Sequence, residues 1–216
     1  MSMAMHPVAP GEVAPGFALP AVAGSGIISL DDYRGRSPLF LSLMLGLWCP
    51  FCRRQLAQLG TFEDKLKAIG VDSLAVVATA PENARLYFKF RPTRVPLAAD
   101  PELSTHRAYG LPKPVPTPEV MQAMDTIRIN PFGDLPEPLP ISQVGKVMQE
   151  KDGYQYTPAD QVDVEKQWPQ LKGLFMIDRT GVVRWAYVEC ATEGLAGLGK
   201  MPSADEILEA ARSVAA

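Results

Sequence analysis

LFLSLMLGLWCPFCRR, residues 39–54, is the stretch from which the rest of the chain can be ordered. Leu39–Leu47 is apolar at odd and even positions alike, the pattern of a strand covered on both faces. Directly after it the period changes. Leu56, Leu59, Phe62, Leu66 and Ile69 recur every three or four residues, the stripe of an amphipathic helix, and Gly70 stands where its C-terminal cap belongs. The junction of strand and helix is therefore occupied by Trp48-Cys49-Pro50-Phe51-Cys52.

That placement has chemical consequences. Redox chemistry runs on a thiolate, and a free cysteine is mostly protonated at neutral pH. The first turn of a helix offers unsatisfied N–H groups and the positive end of the dipole, both of which favour an anion. Cys49 lies where that field is strongest, and Arg53 and Arg54 are placed to add attraction. Cys52, three residues on, is one helical turn away and within reach of an adduct on Cys49. Pro50 stiffens the first turn without removing a needed donor.

A CxxC can also serve a metal or a haem. A structural zinc site needs four ligands, and beyond Cys49 and Cys52 the chain offers Cys190, His6, His106 and scattered carboxylates, with no second paired motif. Attachment of a c-type haem needs His directly after the motif, where Arg53 stands. No metal and no cofactor is expected. Cys190, just past the last strand, reads as a small buried hydrophobe before it reads as a further resolving thiol. His106 reads as a helix-surface residue.

Outward from the motif the elements alternate. Residues 1–26, rich in Ala, Pro and Gly, form an extended lead-in with a short strand at Phe17–Leu19, and Ile27–Leu30 is a second short strand. Ser73–Thr79 is another buried strand. Thr79-Ala80-Pro81-Glu82 has capping-box spacing and starts a helix running to about Phe90. Leu97–Ala99 and Ser104–Tyr109 are a short strand and one or two helical turns. Between Leu111 and Leu171 the texture changes, with eight prolines from 112 to 140, a helix at Pro118–Ile129 and little else regular. Such a length of irregular chain inside a domain is usually functional, and 111–170 reads as an insertion. Regularity returns with Gly173–Ile177 and Val182–Val188, joined through Gly181 as a β-hairpin, and then a helix capped by Ser203 and Glu206.

Composition narrows the classes. The 216 residues carry 21 Lys+Arg against 24 Asp+Glu, a net charge of −3, with no basic block. A general nucleic-acid or anionic-membrane binder is not indicated. The apolar run Leu39–Trp48 is about half the roughly 20 residues that a membrane-crossing helix needs. MSMAMHPVAPGEVAPGF has no Lys or Arg and no continuous apolar core, so it does not read as a secretory signal, and a cytoplasmic protein is expected.

Taken together, VAPGEVAPGFALPAVAGSGIISLDDYRGR, the WCPFC motif, AVVATAPENARLYFKF, PLAADPELSTHRAYG and the closing GLFMIDRTGVVRWAYVE and ADEILEAAR resemble the peroxiredoxin-like (AhpC/TSA, redoxin) branch of the thioredoxin superfamily. The resemblance covers roughly 1–110 and 171–216. It implies an α/β thioredoxin fold in one domain over 1–216, a central mixed sheet flanked by helices, with 111–170 inserted before the C-terminal hairpin and helix. It implies a thiol oxidoreductase with Cys49 as nucleophile and Cys52 as resolving thiol. Its substrate would be a hydroperoxide or a disulfide, and a thioredoxin- or glutathione-like thiol would recycle it. A homodimer is in keeping with the resemblance. Where typical peroxiredoxins carry Thr or Ser three residues before the cysteine and Pro seven before, this chain has Gly46 and Ser42. Where thioredoxins carry a cis-proline immediately before the strand at Leu174, it has Leu171-Lys172-Gly173, with Pro169 further upstream. A different class also fits the residues: a non-catalytic redoxin-fold binding module whose recognition surface is the 111–170 segment.

Overall fold

The computed structural model describes residues 6–215. Its centre is β3 (Leu39–Met44), every residue of which is buried. The apolar residues at both parities are explained by what covers them. Leu39, Leu41 and Leu43 enter one core with Leu74, Val76, Tyr109 and Phe175, while Phe40 and Met44 enter another with Leu56, Phe62, Leu66, Val77 and Ile207.

Short strands β1 (Ala18–Pro20) and β2 (Ile27–Ser29) pair antiparallel ahead of β3. Then follow α1 (Pro50–Ile69), β4 (Asp72–Val77), α2 (Pro81–Phe90), β5 (Leu97–Ala99) and α3 (Ser104–Ala108). Helix α1 stops at Gly70, whose φ of 84° is the left-handed cap that a side chain would strain. The chain closes with β8 (Gly173–Ile177), β9 (Val183–Val188) and α7 (Ala204–Ala215). The main sheet has the order β5-β4-β3-β8-β9, with β3, β4 and β5 parallel and β8 and β9 antiparallel to their neighbours. Parallel β3 and β4 are joined through α1, so the start of α1 lies at the C-terminal end of the central strand. Helix α7 opens with a reciprocal Ser203–Glu206 capping box, as the sequence predicts.

Three expectations need correcting. The 111–170 segment is far more regular than its prolines suggest: it holds α4 (Pro118–Thr126), β6 (Arg128–Ile129), β7 (Leu139–Pro140), α5 (Ile141–Lys151) and α6 (Pro158–Gln167). Pro118 and Pro158 sit in the first turns of their helices, where a missing N–H costs nothing. Ile129, Leu135, Ile141, Val144 and Met148 give the segment a small core of its own. Thr79 does not cap α2; Ala80 is the N-cap, and the Thr79 hydroxyl is engaged elsewhere. His106 is not on a surface but wholly buried, and neither ring nitrogen has a hydrogen-bond partner.

Burial pushes the His106 imidazole down to about 4, against the pull of Asp100. From pH 6.5 down to 4 the unfolded chain therefore takes up a proton there that the folded chain refuses, and stability falls as pH falls. Asp163 works in the opposite sense: burial pushes it up to about 6 against its hydrogen bond from Thr79, so it favours the folded state at acid pH and loses that as pH rises. His106→Leu is expected to remove the first effect and leave the second. In urea titrations the variant should gain stability relative to the parent as pH drops from 6.5 to 4, by on the order of 3 kcal/mol. A parallel pH dependence in parent and variant would show that His106 titrates normally.

Candidate active site

Cys49 is the N-cap of α1, with φ −75° and ψ 111°, and its Sγ accepts a hydrogen bond from the Cys52 N–H at 3.3 Å. Pro50 follows in the first turn, so the sulfur sits at the open end of a 20-residue helix. Both cysteines are free thiols. Cys49 is 3% exposed and Cys52 0%, so reagents reach this pair only where Cys49 meets a cavity.

The charge beside the thiols comes from a residue that the sequence reasoning missed. Lys172, just before β8, is buried and paired through Nζ with Glu189 at 2.9 Å, at the end of β9. The same Nζ donates to Gln55 Oε1 of α1 at 2.8 Å. Glu189 is also held by the Gly199 N–H at 2.9 Å. Burial works against the charge on Lys172, but Glu189 and the two cysteines outweigh it and hold the ammonium protonated. For Cys49, burial pushes the thiol up, but the Cys52 hydrogen bonds and the Lys172 charge prevail and the net direction is downward. Cys52 goes the other way, pushed well above the usual thiol range by burial and by Cys49 itself. One sulfur is thus biased to the anion and its neighbour to the thiol. The signal available was a lone Lys172 directly before GLFMI and a lone Glu189 closing VVRWAYVE.

Arg53 and Arg54 do not serve the thiolate as the sequence suggests; both turn toward the 111–170 segment. Arg53 Nη1 donates to the carbonyls of Leu47 (2.7 Å) and Trp48 (3.1 Å), and its guanidinium lies 3.9 Å from the centre of the Tyr154 ring. Arg54 makes two hydrogen bonds to Asp152, at 3.0 and 2.7 Å, and one to Asp134 at 2.6 Å.

A cavity of about 400 Å³ opens over Cys49. Its walls are mostly apolar, with Trp48, Phe51 and Leu195 on one side and Met124, Ile141 and Trp168 supplied by the 111–170 segment. Pro169 also lines it, and the Trp168–Pro169 peptide is cis. A cis-proline is therefore present beside the motif, although the spacing to β8 differs from the thioredoxin pattern. Cys190, on the turn after β9, adopts φ 64°, and burial with the neighbouring Glu189 pushes its thiol up to about 12. Like Cys52, it is biased toward the thiol. Among the described residues no group of three or more His, Cys, Asp and Glu side chains could hold a metal ion. No described helix is long and apolar enough to cross a membrane.

The AhpC/TSA family model matches residues 10–136, which include the whole motif and the first half of the sheet. The chain belongs to the AhpC/TSA family. The thiol-disulfide oxidoreductase ResA of Halalkalibacterium halodurans is 32% identical over 126 residues, which are 58% of this chain and 65% of that protein. This AhpC/TSA protein also shares its fold with solved structures. The peroxidoxin BcpB of Mycobacterium tuberculosis superposes with a TM-score of 0.59 at 12% identity, covering 96% of this chain and 98% of that one. The reduced 2-Cys peroxiredoxin of Plasmodium vivax gives 0.60 at 16% identity, covering 95% and 81%. A protein described as a putative DsbE thiol:disulfide interchange protein from Chlorobium tepidum gives 0.52 at 21% identity, covering 96% and 98%. The mixed sheet flanked by helices is the thioredoxin fold, as the sequence led one to expect.

Proposed function

We propose that this protein is a thiol-dependent oxidoreductase in which Cys49 is the nucleophile and Cys52 the resolving thiol. The observation that carries the reading is a helix-capping sulfur at the floor of an apolar cavity, with a buried ammonium beside it and a second thiol one turn away. With a disulfide RS–SR′, the Cys49 thiolate attacks one sulfur, forms a mixed disulfide and releases R′S⁻. Cys52, losing its proton, then attacks Cys49 Sγ and expels RS⁻. With a hydroperoxide, the thiolate attacks the terminal oxygen, ROH leaves after protonation, and Cys52 converts the resulting sulfenic acid to a disulfide with loss of water. Either route ends with Cys49 and Cys52 oxidised, and an external thiol returns the two electrons.

In this reading the chain is one domain, and 111–170 is an insertion that walls the cavity. With Cys49 only 3% exposed, a small apolar substrate fits the entrance better than a disulfide on a folded protein. The test is stopped-flow reaction of the reduced protein with cumene hydroperoxide, a small aromatic disulfide, hydrogen peroxide and insulin. One of the two apolar compounds is expected to react at least about tenfold faster than insulin, on the scale that an apolar pocket discriminates. Rates no better than those of free cysteine for all four would overturn the reading.

A further inference from the structure

The turn that delivers Cys49 is held from outside by residues that the proposed chemistry does not use. Gly46 has no room for a side chain: a Cβ there would lie 2.8 Å from Trp48 Cδ1, 2.9 Å from Gln167 Oε1 and 3.0 Å from Thr79 Oγ1. Its φ is not in the left-handed region, so the neighbours demand glycine and the backbone does not. The space is taken by the carboxamide of Gln167, the last residue of α6 and wholly buried. Its Oε1 accepts from the Gly46 N–H and from Trp48 Nε1, each at 2.7 Å, while Nε2 donates to the Ala78 carbonyl. Between them, the Leu47 N–H donates to Thr79 Oγ1 at 3.0 Å, and that hydroxyl donates to Asp163 Oδ2 of α6 at 3.0 Å. The turn then closes on itself, with the Cys49 N–H donating to the Gly46 carbonyl at 3.0 Å.

We propose that Gln167 is a positioning residue for Cys49: its carboxamide does the work of a side chain on residue 46 and sets where the sulfur stands relative to the helix end and Lys172. The proposal rests on Cys49 being the reactive thiol. A misplacement of about 1 Å can cost about a hundredfold in rate, and one oxygen that holds both Gly46 and Trp48 within the four-residue turn ending at Cys49 has that leverage. Gln167 and Gly46 should therefore behave as a pair. Adding a side chain at 46 should be harmful while Gln167 is present and helpful once it is gone.

The experiment reads the sulfur directly, so it needs no substrate. The rate of Cys49 alkylation by iodoacetamide is followed against pH, with mass spectrometry to confirm the site, in the parent, Gln167→Met, Gln167→Ala, Gly46→Ser and Gly46→Ser/Gln167→Ala. Gln167→Met, which keeps the volume and removes the hydrogen bonds, is expected to slow alkylation at pH 7 about tenfold and move the profile to higher pH. Gly46→Ser is expected to lower the rate in the parent and raise it in Gln167→Ala. Recovery of a folded protein in the double variant where Gln167→Ala does not fold supports the proposal equally. An unmoved profile in Gln167→Met, or a Gly46→Ser effect of the same size and sign in both backgrounds, overturns it. Unchanged turnover in Cys49→Ser would instead remove the reading of Cys49 while leaving these alkylation results to be judged on their own.

Discussion

Cys49→Ser is expected to abolish turnover, by roughly three orders of magnitude or more, the scale of losing an enzyme's nucleophile, whereas Cys52→Ser should stop the cycle after one event. The difference follows from where each sulfur stands. Cys49 faces the cavity and is biased toward the thiolate. Cys52 is fully buried and held as the thiol until an electrophilic sulfur appears beside it. Cys52→Ser keeps an O–H that can hydrogen-bond to the Cys49 sulfur, so the first attack should proceed within a few-fold of the parent rate and release one equivalent of product. Mass spectrometry should then find a mixed disulfide or an oxidised Cys49 that accumulates. Cys52→Ala, which removes that donor, should slow the first step as well. Sustained turnover in Cys52→Ser would mean that another thiol resolves the adduct. Undiminished turnover in Cys49→Ser would show that Cys49 is not the nucleophile, whereas no turnover in the parent itself would leave the binding-module reading standing.

The elements that could be read in advance were those in which local pattern and tertiary role agree. The apolar run of β3 is buried on both faces by two cores, and the stripe Leu56, Leu59, Phe62, Leu66 is the buried face of α1. The CxxC could be placed because strand, turn and helix are contiguous in sequence. What stayed hidden depended on contacts over long separations. Gln167 reaches Gly46 across 121 residues and Lys172 reaches Gln55 across 117, and neither pairing leaves a local trace. His106 sits in a five-residue helix too short to show a periodicity, so its burial was invisible. The prolines of 111–170 masked its helices because proline both breaks helices and begins them, and sequence spacing alone does not separate the two uses.

The largest effect expected from a residue outside the motif is at Lys172. Lys172→Met removes the cation that acts on both thiols and leaves Glu189 buried, with the Gly199 N–H as its remaining hydrogen bond. Breaking a buried pair in this way typically costs about 3–5 kcal/mol, because the abandoned charge must be neutralised or exposed. Cys49 loses the attraction that offsets its own burial, so its profile should move to higher pH. Each unit of that movement lowers the thiolate population at neutral pH about tenfold. Stability and reactivity can be separated by the companion change. Lys172→Met/Glu189→Gln leaves no unpaired charge, and replacing a buried pair with neutral groups is often neutral for stability. The double variant should therefore regain most of the denaturant resistance that the single variant loses. Its alkylation profile should remain displaced to higher pH, because Lys172 acts on Cys49 more strongly than the opposing Glu189 does. If the double variant recovers both the stability and the pH profile of the parent, the pair is a structural element and the thiolate owes its bias to the helix end and Cys52 alone.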